Sequence, residues 1–404
     1  MKNASPQELA SLRARAAAIR GMLPPLARDA QGCLTPHSLD AVRAVAQRIL
    51  RQNRAVGASL VLCHENGADD VLCFGHARLK PKIPVTEATC FRTASVSKLV
   101  MSFVILRLAE DGVLDLDADV SETLGFPVRS PHAPDVPITL RMLLTHTSGI
   151  RDEGNYGTRG MQPGCTLPEL LADPQNWTPH RPGTVFHYSN LGAGAAGAAA
   201  ECASGRPFDQ LLQEAIALPL GARMHYSPRA IEPRGDLADG YSVRGVLPPR
   251  LRYDAKALSA PSDEDGRPLE PMKDYLVTAG RLITDSRGMA ALVRLLASDG
   301  EVQGQRILRK ESLVDMRAPQ DGRPGVIACG RGLNTAFLPG VFPGFSPVGH
   351  QGVAYGMCAE LFADPARRCG VGLMTSGMRL VRQAPLMRGG FDLLALGFAA
   401  LSAE

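Results

Sequence analysis

The chain has 404 residues, of which 45% are hydrophobic and 21% charged, so it is long enough to bury one large core or to form two domains. Its formal net charge of +4 is too small over this length to indicate binding to nucleic acid or to an acidic membrane surface. No stretch approaches the roughly 18 uninterrupted apolar residues of a transmembrane helix, and residues 1–25 lack the apolar segment of a signal peptide. We therefore expect a cytoplasmic globular protein.

The nine cysteines are an odd number, and no two of them form a CxxC pair. Neither a disulfide framework nor a zinc site is therefore indicated. Several of the cysteines lie in apolar runs, among them Cys63 and Cys73. We expect free, buried thiols, which suit a reducing compartment.

The first part of the chain predicts two helices, a hairpin and a third helix, in that order. The sequence SPQE at residues 5–8 is typical of a capped helix start, and apolar residues at helical spacing favour a second helix over 38–53. Strand-like runs at 57–63 and 71–74 flank an Asn-Gly turn signal, which indicates a β-hairpin. Apolar residues lie almost all round the helix predicted over 95–110, as in a helix buried on most sides.

The middle of the chain is rich in proline, glycine and short helical stretches. The sequence NLGAGAAG at 190–197 opens a helix of small residues, which favours close packing against another element rather than phosphate binding. Helix signals resume at 276, and a closing helix is predicted over 391–401. Strand patterns dominate between them, at 326–329, 354–362 and 371–375.

This order of elements predicts an α/β (α+β) fold made from both ends of the chain. We expect an α/β subdomain formed by residues 37–113 together with 276–404. A mainly helical subdomain is expected as an insertion at 114–275, and a helical extension at 1–36.

The first candidate for chemistry is the sequence SVSK, from Ser95 to Lys98. A serine hydroxyl needs a base to become a nucleophile, and positions i and i+3 lie on one face of a helix. Lys98 can therefore bring its amine beside the Ser95 oxygen, and burial lowers a lysine pKa enough for it to act as a base. If Ser95 begins the helix, its backbone N–H is also free to bind a developing oxyanion. The structural alternative is a serine that only caps the helix.

The second candidate is the sequence YSN, from Tyr188 to Asn190, which is the only YxN in the chain. A tyrosine beside a cationic amine is suited to act as a general base. An asparagine two residues later can donate to a substrate carbonyl. The structural alternative is a loop tyrosine followed by an asparagine that caps the helix of small residues, and Asn190 can serve both purposes.

The third candidate comprises His350, Gln351, Gly352 and Val353. It precedes a strand-like run, which can place it on a sheet edge that faces the serine. Glycine allows a substrate backbone to come close, and the N–H of Val353 is a candidate second oxyanion donor. The structural alternative for His350 is a strand histidine with satisfied hydrogen bonds.

The order SxxK, YxN and HxG, spread over most of the chain, resembles the serine β-lactamases of class C and their relatives. Those relatives include D-alanyl-D-alanine carboxypeptidases, D-aminopeptidases, D-amino-acid amidases and esterases with the β-lactamase fold. The segments LLTHTSGI at 143–150 and LPLG at 218–221 also resemble the family. The resemblance covers roughly residues 38–401.

This resemblance implies a transpeptidase-like fold, an antiparallel sheet flanked by helices, with the active site between the two subdomains. It implies an acyl-enzyme on Ser95, with Lys98 and Tyr188 sharing the proton transfers and Asn190 holding the substrate amide. The N–H groups of Ser95 and Val353 would form the oxyanion hole. No metal or organic cofactor would be needed.

The chain departs from the family at the third motif, where β-lactamases and penicillin-binding enzymes usually carry KTG. Lysine is a permanent cation suited to a substrate carboxylate, whereas His350 is mostly neutral at pH 7 and Gln351 lacks the threonine hydroxyl. We therefore expect a hydrolase of a small ester, amide or short peptide, without nucleic-acid or membrane partners and with homo-oligomers left open. The alternatives are a β-lactamase or DD-carboxypeptidase acting on carboxylate-bearing substrates, and a catalytically silent binding module on the same fold.

Two further histidines adjoin these motifs. His146 belongs to the LLTHTSGI segment, and we interpret it as a structural residue that packs near the cleft. His187 directly precedes Tyr188, and we interpret it as part of the loop wall.

Overall fold

The computed structural model of the protein describes residues 5–154, 165–231, 234–244, 250–253, 270–320, 332–383 and 386–402. Its α-helices are α1 (Pro6–Arg20), α2 (Pro36–Gln52), α3 (Val96–Glu110), α4 (Val120–Leu124), α5 (Leu140–Leu144), α6 (Leu167–Ala172), α7 (Asn190–Ser204), α8 (Phe208–Leu212), α9 (Leu276–Gly280), α10 (Ser286–Ala297), α11 (Lys310–Arg317) and α12 (Arg388–Leu401). Its strands are β1 (Gly57–Cys63), β2 (Asp69–Leu79), β3 (Lys82–Pro84), β4 (Phe91–Arg92), β5 (Met224–His225), β6 (Tyr241–Arg244), β7 (Arg250–Tyr253), β8 (Ile283–Thr284), β9 (Glu301–Val302), β10 (Gln305–Arg306), β11 (Ala336–Phe337), β12 (Val348–Ala354), β13 (Met357–Asp364), β14 (Cys369–Ser376), β15 (Arg382–Gln383) and β16 (Leu386–Met387). Over the described parts of the chain, none of the helices is both long and apolar enough to cross a bilayer.

The main sheet has seven strands in the order β11-β12-β13-β14-β1-β2-β3. All neighbouring strands in it run antiparallel. Strands β1 to β3 come from the first part of the chain and β11 to β14 from the last part. The two groups join where β1 pairs with β14, with Leu60 opposite Leu373. The predicted α/β fold with an antiparallel sheet is therefore confirmed.

Helices cover both faces of this sheet, which is why β1 is buried along its whole length. Alternate residues of a strand point to opposite faces, and Leu60 and Val61 accordingly belong to different core clusters. The cluster that contains Val61 includes α3 and α10, and the cluster that contains Leu60 includes α2 and α12. The helix that carries the candidate nucleophile is thus packed into the protein interior.

Helix α1 packs into the core cluster that contains Leu60, α2 and α12. Its predicted capping box is present, because the Ser5 hydroxyl accepts from the N–H of Glu8 and the Glu8 carboxylate accepts from the N–H of Ser5. Leu12 is buried in the cluster that contains α12, and Arg15 forms an ion pair with Asp392 of α12. The predicted subdomain boundaries stay a prediction.

One of the strand predictions is wrong at its start. The sequence pattern predicts a continuous strand over 354–362, whereas β12 ends at Ala354 and β13 begins at Met357. Between these strands, Tyr355 and Gly356 have φ values of 50° and 78°, as a type I′ hairpin turn requires. Tyr-Gly is not one of the usual turn dipeptides, so the sequence pattern does not predict a turn at this position. The strand expected at 326–329 lies outside the described residues.

Helix α7 packs as its small residues predict. A Cβ added at Gly197 would lie 2.1 Å from the Thr278 Oγ1 of α9, so a larger residue would push the two helices apart. This close approach fixes the position of α9, whose end reaches the candidate site.

Candidate active site

Ser95 lies directly before α3, at the point where the chain enters the helix. The preceding residue, Ala94, has a φ of 48°, a conformation that non-glycine residues rarely adopt. The Ser95 hydroxyl makes no capping hydrogen bond to α3. It instead accepts a hydrogen bond from the Nζ of Lys98 at 3.2 Å. The i,i+3 spacing therefore brings the two groups together on one side of the helix.

Lys98 is fully buried, and its amine also donates to two acceptors from distant segments. These are the Oδ1 of Asn190 and the carbonyl oxygen of Ala279 at the end of α9, each at 2.7 Å. Burial lowers the pKa of Lys98 to about 7, the charge of Asp152 opposes this shift, and the charge of Arg92 adds to it. Near pH 7 the amine is therefore available in its neutral form, as a base.

Tyr188 lies beside the amine of Lys98. The Nζ of Lys98 is 5.1 Å from the centroid of the Tyr188 ring. The rings of His146 and His350 lie 4.5 Å and 6.3 Å from the same ring. Tyr188 and Ser95 line one cavity, so the structure brings the first two sequence motifs into a single site.

Asp152, which belongs to none of the sequence motifs, orients Asn190. Its carboxylate accepts from the backbone N–H and the Nδ2 of Asn190, both at 2.8 Å, from the Ser189 hydroxyl at 2.9 Å and from the N–H of Leu191 at 3.2 Å. Because Nδ2 donates to Asp152, Oδ1 faces Lys98, and the second hydrogen of Nδ2 has no acceptor among the described residues. No sequence spacing links Asp152 to Asn190, so only the folded chain reveals this contact.

Strand β12 passes directly alongside the start of α3. A Cβ at Gly352 would lie 1.9 Å from the carbonyl oxygen of Thr93 and 2.9 Å from the nitrogen of Ser95, so this approach requires glycine. In the β12–β13 hairpin, the pair next to the type I′ turn, Ala354 and Met357, is hydrogen-bonded. Hydrogen-bonded and non-hydrogen-bonded pairs alternate along antiparallel strands, so the next pair, Val353 and Cys358, is not hydrogen-bonded across the strands. The N–H of Val353 therefore points away from β13, and Val353 itself lines the cavity.

His350 and Gln351 lie on opposite faces of β12, because adjacent strand residues alternate. His350 is buried, and burial together with the charge of Lys98 lowers its pKa to about 3, so its ring is neutral. The Gln351 amide donates to the carboxyl group of Glu360 and accepts the N–H of Met387 at 2.9 Å. The structure therefore places His350 near the site and engages the Gln351 side chain elsewhere, although Gln351 also borders the cavity.

The candidate residues open onto a cavity of about 530 Å³, a volume suited to a small molecule. Its apolar lining comes from separate segments of the chain and includes Leu276, Val353, Ala354, Leu386 and Met387. Arg92 and Arg382 line it as cations. Among the described residues, no Asp or Glu lines it.

Neither a metal cluster nor a disulfide occurs in the described parts of the chain. No three His, Cys, Asp or Glu side chains there are grouped in a way that could hold a metal ion. Eight cysteines are free thiols, and Cys329 lies outside the described residues.

Comparison with known proteins places this architecture in a family. A family model described as Beta-lactamase matches residues 42–389. The chain belongs to this family. The predicted family resemblance is therefore confirmed.

Members and structural neighbours of the Beta-lactamase family show how far the likeness extends. The chain is 32% identical to esterase EstB of Burkholderia gladioli over 211 residues, which span 47% of this chain and 53% of EstB. It is 27% identical to the D-alanyl-D-alanine-carboxypeptidase/endopeptidase AmpH of Escherichia coli K12 over 302 residues, 71% of this chain and 76% of AmpH. The structure of EstCE1, a hydrolase with promiscuous acyltransferase activity, matches with a TM-score of 0.68 at 22% identity, covering 98% of this chain and 99% of that one. At this identity the last match shows a shared fold.

Proposed function

We propose that the protein is a serine hydrolase that cleaves a small ester or amide through an acyl-enzyme on Ser95. The observation that carries the proposal is the 3.2 Å contact between the Nζ of Lys98 and the Oγ of Ser95 beside the cavity. Burial lowers the pKa of Lys98 to about 7, so a neutral amine is available to take the proton of the attacking hydroxyl. The esterase and peptidase names of EstB and AmpH fit this chemistry.

In acylation, the Oγ of Ser95 attacks the carbonyl carbon of the substrate, and its proton passes to Lys98 with Tyr188 sharing the transfer. The N–H groups of Ser95 and Val353 stabilise the oxyanion that forms. Asn190 donates to the carbonyl of an amide substrate. The C–O or C–N bond to the leaving group then breaks, and the leaving group takes up the proton.

In deacylation, water attacks the ester bond between the acyl group and Ser95. Its proton passes to the Tyr188 and Lys98 pair, which returns a proton to the Oγ of Ser95 as the acid is released. The residues thus act first as base and then as acid.

The test is the intact mass of the protein after incubation with a fluorophosphonate, for wild type and Ser95→Ala side by side. We expect one adduct on wild type and none on the variant, and ester turnover at least about 10³-fold lower in the variant. Ser97→Ala is the matched control, because the Ser97 hydroxyl bonds to the backbone of Ala94 and Leu282 and should leave the adduct in place. Wild-type turnover by Ser95→Ala, or no adduct on wild type and no ester hydrolysis, would contradict the proposal.

A second candidate is a hydrolase of carboxylate-bearing substrates, such as a DD-carboxypeptidase or a β-lactamase. His350 is buried and neutral and supplies no cation to the cavity. Arg382 does line the cavity, is exposed, and has no carboxylate partner among the described residues. An exposed guanidinium can bind a substrate carboxylate with two hydrogen bonds, which favours this candidate.

The free thiols support a reducing, cytoplasmic compartment, which we propose for this protein. The sequence leaves the oligomeric state open, and the molecular mass in solution measures it.

A further inference from the structure

His146, in the loop that follows α5, has an unusual backbone conformation. Its φ is 56°, in the left-handed region that non-glycine residues rarely adopt. Its side chain is buried in the protein interior. Such a conformation persists only where the surrounding structure holds the residue in place. The contacts of His146 therefore indicate what the fold gains from it.

These contacts hold four consecutive residues of the segment that carries Tyr188. The His146 ring lies 4.5 Å from the Tyr188 ring at an angle of 40°, and it meets the Phe186 ring edge-on at 5.8 Å. The Nδ1 of His146 accepts the N–H of Ser189 at 3.2 Å. Its carbonyl oxygen accepts the N–H of His187 at 2.7 Å. Side chain and backbone of one residue thus fix both the ring and the main chain around Tyr188.

The imidazole of His146 is neutral, with its proton on Nε2. Because Nδ1 is the acceptor for Ser189, the ring hydrogen lies on the other nitrogen. That Nε2 is buried and has no hydrogen-bond partner among the described residues. Burial, followed by the charges of Lys98 and His350, holds the pKa of His146 well below its usual range. A purely apolar ring would avoid the unpaired nitrogen, and what the imidazole adds is the acceptor for Ser189.

We propose that His146 is a positioning residue that holds the Tyr188 ring beside Lys98, in the cavity that Ser95 also lines. The proposal rests on the proposed function, in which Tyr188 shares the proton transfers. Displacing a proton-transferring group by a fraction of its contact distance slows the reaction more than it weakens substrate binding. The sequence indicates only a structural role for His146, and its contacts assign it this more specific task.

The experiment compares His146→Asn with wild type in ester hydrolysis. Asparagine tolerates the left-handed backbone and keeps an acceptor near the position of Nδ1, so the fold and thermal midpoint should be retained. The ring against Tyr188 is lost, and we expect kcat to fall by about 10- to 100-fold with little change in KM. The rate of fluorophosphonate labelling should fall in parallel. His187→Asn is the matched control, because its ring pairs with Glu153 at 2.8 Å, and it should keep the wild-type kcat.

His146→Phe is the complementary variant. It keeps a ring beside Tyr188 but removes the acceptor for the N–H of Ser189, so its thermal midpoint should fall below that of His146→Asn. We expect its kcat per folded molecule to exceed that of His146→Asn. The fall in rate at acidic pH, which protonation of Lys98 is expected to cause, should remain in both variants, because a neutral His146 transfers no proton in the reaction.

Four outcomes overturn the inference. If folded His146→Asn keeps the wild-type kcat, or if only its KM changes, the ring does not position Tyr188. If kcat is lower in His146→Phe than in His146→Asn, the effect comes from the contact with the N–H of Ser189 alone. If the rate no longer falls at acidic pH in these variants, His146 itself transfers a proton in the reaction. In all of these cases wild type still hydrolyses esters and the proposed function stands, whereas wild type without turnover and without an adduct at Ser95 would end both proposals.

Discussion

At Lys98, opposing effects set the protonation state of one amine. Burial disfavours the ammonium form and lowers the pKa to about 7, and the charge of Asp152 acts in the other direction. The oxygens of Asn190 and Ala279 accept from the amine and favour its charged form. A pKa near 7 allows one group to accept a proton and later return it, as the proposed mechanism requires of Lys98.

The rate should therefore depend on pH through Lys98. Only the neutral amine can accept the Ser95 proton, so kcat/KM for a neutral ester should rise with pH through a midpoint near 7. Lys98→Arg keeps a permanent cation and should lower kcat/KM by about 10²- to 10⁴-fold at every pH. Lys310→Arg, on the surface of α11, is the control and should match wild type. A profile that stays flat from about pH 5.5 to about pH 8.5 would exclude Lys98 as the base.

At the scale of elements, the start of α7 is built to position Asn190. The first N–H groups of a helix have no partners within the helix, and here Asp152 and the Ser189 hydroxyl accept from three of them. The small residues of α7 also let α9 approach, which brings the carbonyl oxygen of Ala279 to Lys98. The start of α7 and the close contact between α7 and α9 therefore fix the surroundings of Lys98.

Asp152→Asn tests this arrangement. Loss of the negative charge removes the effect that raises the pKa of Lys98, so the midpoint of the pH–rate profile should move to lower pH. The weakened cap of α7 should lower the free energy of unfolding by about 1–2 kcal/mol. Denaturant unfolding and a pH–rate profile measure the two effects.

Asp111→Asn serves as the control for Asp152→Asn, because its carboxylate pairs with Arg107 near the far end of α3. This variant should leave the midpoint of the pH–rate profile unchanged, and it should change the free energy of unfolding by no more than about 0.5 kcal/mol. A midpoint that stays in place or rises in Asp152→Asn would show that Asp152 does not act on Lys98.

At the scale of the whole molecule, the cavity exists only because distant parts of the chain meet. Its wall includes Arg92 from β4, Leu276 from α9, Val353 from β12 and Arg382 from β15. The hairpin that bears Arg382 is attached to β12 through the Gln351 amide, which accepts the N–H of Met387. The charge of the cavity is thus a property of the assembled fold and not of any one motif.

Arg382→Gln tests whether that charge selects substrates. We expect the ratio of kcat/KM for an ester bearing a free carboxylate to that for its neutral counterpart to fall by about tenfold, because one charge-assisted contact is lost. The wild-type ratio should also fall as salt is added. Arg379→Gln, an exposed arginine outside the cavity, is the control. An unchanged ratio would leave neutral esters and amides as the substrates and remove the second candidate function.

Several features of this protein follow from local patterns and could be read from the sequence. Helix and strand periodicities are local, so they predict features that depend on neighbours within a few residues. Such features are the capping box at Ser5, the hairpin that begins at Gly57 and the contact between Ser95 and Lys98. The same alternation places His350 and Gln351 on opposite faces of β12. The turn at Tyr355 was missed because its dipeptide carries no strong turn signal.

The sequence by itself determined the family, the antiparallel α/β fold and the residues from which the candidate site is made. Only the tertiary structure decided how these residues are arranged: Asp152 orients Asn190, Ala279 accepts from Lys98, and His146 packs on Tyr188. These contacts join segments far apart in the chain, and no periodicity specifies them. The pKa of Lys98 likewise depends on burial, which arises when helices and sheet pack and exclude water from the amine.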